Sequence, residues 1–186
     1  MPTIKTSKEQ VLQSVIETIR QKGIANSSMS DLAKQCNIQK SHFYYYFENK
    51  EALIQEVLAM VNSYMTYNMN KVVDNPELDI GQKLSGIRLL IHKLFLDNDG
   101  GCVMANTALE SAHSNPKYFE EIRSFFQNFI TGLERLLQDS HSQEKSRYLA
   151  EQIVQDIEGG ILLMRVYRNP KYLQNAITRM SNIILP

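Results

Sequence analysis

The chain has no tryptophan, only two cysteines in 186 residues, and no excess of either charge, with 20 acidic and 20 basic side chains. Each shortage closes a class of function. Cys36 and Cys102 are too few and too far apart for a disulfide framework or a metal-ligand spacing, and in a reducing compartment both are expected as thiols. A formal net charge of zero means that any nucleic-acid surface must be local, not a chain-wide field. No apolar run approaches the roughly 18 residues of a membrane span; the nearest, residues 87–96, is broken by Arg88, His92 and Lys93. Residues 1–10 are polar and lack the apolar core of a secretory signal, so the sequence predicts a cytoplasmic protein with no membrane partner. His42, His92, His113 and His141 have no zinc-type spacing, and no phosphate-binding glycine loop follows a strand. No enzyme, no metal and no cofactor are expected.

What remains is ordinary globular composition, 43% hydrophobic and 22% charged, in a length that allows one domain or a small module fused to a larger one. Apolar spacing is helical almost throughout, with no alternating strand pattern. The expected fold is all-α with about nine helices. Val11, Leu12, Val15, Ile16 and Ile19 stripe a first helix, opened by a capping box of Ser7 with Gln10 and closed by Gly23. Met29, Leu32, Ala33 and Cys36 stripe a short second helix with Ser28 and Asp31 as its box, and residues 39–46 form a short third. Asn49 caps a long fourth helix reaching about residue 73. Five more follow, with Pro76, Pro116 and Pro170 falling between stripes and residues 98–101 breaking the chain.

Two short helices joined by a tight turn and backed by a first helix suit a helix-turn-helix whose second member enters the DNA major groove. At 100° per residue, Gln39, Phe43, Tyr46 and Phe47 share one side of the third helix. Ser41, Tyr44 and Tyr45 point the other way, flanked by Lys40 and His42. Three hydroxyls, a lysine and a histidine can bond base edges and phosphates, and tyrosine rings can meet thymine methyls or sugars. Charge agrees in sign: residues 1–53 carry seven basic and five acidic side chains. The same tyrosines could instead be packing in a plain helical bundle, and these residues alone leave that open.

The stretch SSMSDLAKQCNIQKSHFYYYFENKEALIQEV, residues 27–57, resembles the N-terminal signature of the tetracycline-repressor (TetR) family. Leu32 and Ala33 match the small apolar pair of its second helix, and Tyr44, Phe47, Lys50, Glu51 and Leu53 its most characteristic later positions. Asn37 stands where the family usually has glycine, Ser41 where glycine or alanine is common, His42 where threonine is, and Tyr46 where histidine is. The resemblance implies a DNA-binding domain over residues 1–50, with the motif at about 28–47, and a helical effector-binding and dimerisation domain over 51–186. By position, Ser28, Ser30 and Lys50 are expected to anchor phosphates at helix starts, and Gln39, Lys40, Ser41, Tyr44 and Tyr45 to meet the groove. His42, replacing a hydroxyl, completes the DNA-binding set.

The family likeness further implies a ligand-responsive repressor that binds a near-palindromic double-stranded operator as a homodimer and is released by a small-molecule effector. The last two helices are the expected interface, through Ile153, Ile157, Ile161, Met164, Ile177, Met180 and Ile184, with Gly159 and Gly160 permitting close approach. These residues could equally fill the monomer core. The effector pocket is expected among Tyr64, Met65, Tyr67, Phe95, Met104, Tyr118, Phe125, Phe126 and Phe129. The fourth helix is the expected lever between pocket and reading helix. Cys102 follows two glycines at a helix start, where the dipole lowers a thiol pKa, and GCVMANTALE, residues 101–110, resembles a stretch in an electrophile- and oxidant-responsive subgroup. A sensor thiol is therefore one reading of Cys102, and a buried structural thiol the other. The competing function is a helical scaffold or partner-binding protein that does not touch DNA.

Overall fold

Every regular element among the described residues is a helix. The computed structural model describes residues 7–98, 100–111 and 117–185; His113 and Pro116 lie outside them. In chain order the elements are α1 (Lys8–Lys22), α2 (Met29–Gln35), α3 (Lys40–Tyr46), α4 (Lys50–Val73), α5 (Ile80–Ile91), a π-helical turn (His92–Leu96), α6 (Val103–Ser111), α7 (Tyr118–Leu137), α8 (Gln143–Tyr167) and α9 (Lys171–Ile184). The all-α expectation of about nine helices holds for these residues. None of these helices is long and apolar enough to cross a membrane, and no cluster of three metal-ligating side chains occurs among the described residues.

The chain divides into two compact units. The first comprises the described parts of Met1–Asn62 and Val103–Ile122. Its helices start where the local chemistry says they should: Ser7 with Gln10 and Ser28 with Asp31 form reciprocal capping boxes on α1 and α2. Gly23, at φ 78°, ends α1 in a backbone conformation that side chains disfavour. The core is the inner faces of α1 to α4, with Val11, Val15, Leu32, Phe43, Leu53, Ile54 and Val57 fully buried. Each contributes about 1.5–3 kcal/mol by leaving water. The start of α4 thus belongs with the headpiece, which is why the unit runs past the boundary expected at residue 50.

The second unit comprises the described parts of Ser63–Cys102 and Arg123–Pro186. Phe125, Phe129 and Leu133 of α7 are buried at its centre, as are Ile153, Ile157 and Ile161 of α8. Gly86 and Gly160 let helices approach closely. A Cβ on Gly86 would fall 2.9 Å from Val72, and one on Gly160 would fall 3.1 Å from both the Ala176 methyl and the Leu173 backbone. The stripe Leu84, Ile87, Ile91, Leu94, Phe95 is not one α-helix: past Ile91 the bonding widens, Asp97 N–H reaching His92 O at 3.1 Å, and Asn98 Nδ2 donates to Lys93 O at 2.6 Å.

One buried carboxyl stands out. Glu158 on α8 has its Oε1 sealed from solvent with no hydrogen-bond partner. Burial pushes its pKa up to about 7, opposed by a hydrogen bond from Cys102. Because the folded chain holds this proton more tightly than the unfolded one, the folded state loses stability as pH rises from about 4.5 to about 7. Glu158→Gln is therefore expected to raise the thermal midpoint above that of the parent at about pH 8 and to leave the two alike near pH 4, as scanning calorimetry across pH would read. An equal difference at both ends would contradict the assignment.

Candidate nucleic-acid interface

The turn between α2 and α3 is built by the backbone. Ile38 N–H bonds Ala33 O at 3.1 Å and Asn37 N–H bonds Lys34 O at 3.0 Å, the paired bonds of a Schellman ending. Asn37 occupies the left-handed position at φ 53°. Asparagine tolerates that conformation better than other side chains, so the missing glycine does not open the turn. Gln39 then caps α3 with extended backbone and makes no side-chain cap bond, which leaves its amide outward.

α3 divides cleanly. Phe43 and Phe47 are 0% and 1% exposed and meet at a tilt of 58° with centroids 5.4 Å apart, whereas Tyr44 and Tyr45 are 44% and 78% exposed. Gln39, Lys40 and Ser41 are exposed, and His42 and Tyr46 are half-buried. Gln39 was expected on the inner side with Phe43; as the cap, it lies outside the helical register and faces solvent. Lys40 Nζ lies 5.8 Å from the Tyr44 ring centroid, a cation–π distance that gathers charge and ring on one outward patch. The arrangement can present donors, acceptors and aromatic edges to a groove together.

The three expected phosphate anchors fare differently. Ser28 is committed to its own helix: its hydroxyl donates to Asp31 Oδ2 at 2.5 Å, and its N–H reaches the same carboxylate at 3.1 Å. These bonds hold Asp31 below the usual carboxylate range, so the first turn of α2 already carries an anion. Ser30, half-buried beside it, is in no such bond. Lys50 is half-buried and its Nζ donates to the Ile24 carbonyl at 2.6 Å, so its charge points into the α1–α2 turn. Sequence position alone could not show that this acceptor lies within reach of the expected anchor.

The expected effector residues are divided between the two units. Met104 and Tyr118 are buried in the first unit. Met65, Phe125 and Phe129 are buried and Phe126 half-buried in the second, with Phe125 and Phe126 edge to face at 5.3 Å. Tyr64 and Tyr67, 46% and 67% exposed, face solvent, since the apolar stripe of α4 runs through Met65 and Met69 instead. Phe95 lines a cleft of about 670 Å³ in the second unit, with Leu96, Gly100, Gly101, Met164, Arg165, Arg168 and Pro170. Arg168 closes α8 in left-handed backbone at φ 49°.

Cys102 is 3% exposed and hydrogen-bonds the Glu158 carboxyl, and its burial suits a structural thiol more than an accessible one. The expected interface residues Ile153, Ile157, Ile161, Ile177, Met180 and Ile184 are all buried within the single chain, and Met164 is half-buried. They pack α8 on α9, so the periodicity marked a face already covered. Leu162, Leu163, Val166 and Tyr167 are exposed near the C-terminal end of α8, and Tyr148 nearer its start. Gly159 has nothing within 4 Å of where its Cβ would be. Glu110, for which the sequence offers no signal beyond its place in the GCVMANTALE stretch, accepts Ala25 N–H at 2.8 Å.

Residues 11–57 match the family described as bacterial regulatory proteins, tetR family, and residues 90–179 match the C-terminal domain of LmrA/YxaF-like transcriptional regulators. An uncharacterised HTH-type regulator of Bacillus subtilis, YuxN, is 29% identical over 101 residues, which is 50% of this chain and 34% of that protein. The HTH-type transcriptional repressor DhaR of Mycobacterium sp. is 20% identical over 185 residues, covering 96% of this chain and 92% of DhaR. A TetR transcriptional regulator from Legionella pneumophila has the same fold, with a TM-score of 0.85, 24% identity and coverage of 97% and 98% of the two chains.

Cys36 is the packed thiol of the second helix, its pKa pushed up to about 11 by burial. It is expected to stay unmodified when the folded protein meets iodoacetamide at neutral pH, and to react once the chain is denatured, with mass spectrometry reading the added group. Rapid labelling of native Cys36 would show that this face of α2 opens.

Proposed function

The chain belongs to the TetR family of bacterial regulatory proteins, and from that premise we propose how this member works. It is a helix-turn-helix, DNA-binding transcriptional regulator. α3 enters the major groove, with Gln39, Lys40, Ser41, Tyr44 and Tyr45 meeting base edges, sugars and the nearest phosphates, and with His42 at the flank. The observation that carries this reading is the split of α3: two phenylalanines wholly buried while two adjacent tyrosines stand in solvent. A bundle helix with no partner gains nothing by exposing those rings beside a lysine. Ser30 remains a backbone contact at the start of α2.

Specific recognition needs two such helices about 34 Å apart on the half-sites of a near-palindrome, so the working form is a homodimer. The outer face of α8, through Leu162, Leu163, Val166 and Tyr167 with Gly159, supplies apolar surface for a second copy. The effector is a small molecule held in the second unit. The cleft beside Phe95 has the volume of ordinary ligand sites and mixes apolar walls with Arg165 and Arg168. Such a molecule releases DNA only by binding better to a dimer whose reading helices are wrongly spaced. The full-length similarity to DhaR, described as a repressor, favours repression. Acting on bacterial DNA places the protein in the cytoplasm.

Selection of bound duplexes from random DNA should return a near-palindrome; recovery of no preferred sequence, or of an asymmetric one, would sink the reading and favour the scaffold. Lys40→Ala is expected to weaken binding and to shallow the log–log salt dependence by about 0.9 per protomer, measured by anisotropy on that duplex. Val166→Glu is expected to shift the protein from dimer to monomer in sedimentation and to abolish operator binding while leaving the helical circular dichroism intact. A stable dimer of that variant would move the interface elsewhere.

A further inference from the structure

The α1–α2 turn is held from two directions, and both holds fall on one peptide group. Glu110 Oε2, near the end of α6, accepts the Ala25 N–H at 2.8 Å. Lys50 Nζ, at the first residue of α4, donates to the Ile24 carbonyl at 2.6 Å. The Ile24 carbonyl and the Ala25 N–H are the two ends of the same planar amide. Its oxygen is the negative end of the peptide dipole and its N–H the positive end. The cation therefore sits at the negative end and the carboxylate at the positive end, an ion pair relayed by a peptide. Turning that plane breaks both bonds together.

The neighbouring residues make room for this clamp. Gly23 takes φ 78°, and a Cβ there would lie 2.9 Å from the Glu110 carboxyl carbon, so the carboxylate fills the space a side chain would need. Ser27, buried, donates its hydroxyl to Gly23 O at 2.8 Å and its N–H to Ile24 O at 3.2 Å. Ser28, the next residue, is the N-cap of α2. Glu51, adjacent to Lys50 in sequence, is engaged by Lys117 at 2.7 Å. A hollow of about 270 Å³ brings Lys50, Glu110, Ile24 and Ala25 to one place.

We infer that Lys50 and Glu110 are positioning residues for DNA binding, which act through the Ile24–Ala25 peptide to fix the direction in which the chain enters α2 and hence the pose of α3. Neither touches DNA. The charge of Lys50 is spent on a carbonyl of its own chain, not on a phosphate. This assignment rests on the headpiece reading above, because only a helix that must meet a groove in one pose needs its entry fixed so firmly.

The test compares the full-length protein with Lys50→Met, Glu110→Ala, Glu110→Gln and the double variant Lys50→Met/Glu110→Ala. Affinity for the selected duplex is measured across salt, together with amide exchange at Ala25 without DNA. Lys50→Met and Glu110→Ala are each expected to weaken binding about tenfold with the salt slope of the parent. Glu110→Gln keeps a carbonyl acceptor and should recover most of the loss. The double variant should lose no more than the worse single one, since both act on one peptide. Ala25 exchange should quicken in Glu110→Ala. A slope shallower by about 0.9 per protomer in Lys50→Met would put its ammonium on a phosphate and overturn the assignment, as would unchanged affinity in Glu110→Ala. If the parent binds no duplex, the headpiece reading fails and the positioning role falls with it. Quickened Ala25 exchange would then still show the clamp as a structural bond, which separates the two failures. A variant with lost helical circular dichroism is replaced by Glu110→Gln, whose amide preserves the acceptor.

Discussion

A seven-residue helix does not hold together in water unaided, because nucleating one turn costs more than its few bonds return. α3 is that short, so it exists only while Phe43 and Phe47 remain buried against the headpiece. That constraint also fixes which way the rest of the helix faces. With residues 43 and 47 held inside, a 100° step leaves 41, 44 and 45 no direction but outward. Order and presentation thus have one cause. The edge contact between Tyr45 and Tyr46 and the lysine over Tyr44 trim the outward face without holding it.

Much of this was legible in the residues. The apolar stripes located the helices, and Ser7, Ser28 and Asn49 located three of their starts, because capping is local chemistry spaced three residues apart. The HFYYYF run announced its inner and outer faces by period alone. Periodicity says that a face is covered, however, and not by what. Ile153, Ile157 and Ile161 read as an interface between copies when they are the seam between α8 and α9 of one chain. Gly160 belongs to the same seam, pressed on Ala176, while its neighbour Gly159 faces open space; no sequence pattern distinguishes two adjacent glycines by what stands opposite.

Polar side chains were harder still. Lys50 and Glu110 lie sixty residues apart in sequence, and nothing local marks either as the partner of a backbone group in a third segment. A lysine at a helix start invites a phosphate reading, and only the distance to Ile24 O redirects it. Glu158 carried no signal at all: one of four acids on a long helix, it looks solvated until its oxygen is found walled in. Of the aromatic residues, Phe125 and Phe129 are buried and Tyr64 and Tyr67 exposed, a split that residue type alone does not reveal.

The π-helical turn at His92–Leu96 has a bearing on how such a molecule can change over generations. A wide turn of this kind accommodates roughly one residue more than an α turn, so it amounts to an insertion absorbed without breaking the rod. Losing a single codon there would let the bonds relax to ordinary α pitch while the chain beyond keeps nearly its present facing. Phe95 and Leu96, which now form a wall of the cleft of about 670 Å³, would be repositioned within the turn. The chain thus carries, in five residues, a place where one small genetic step could re-cut a chamber while the framework around it stays as it was.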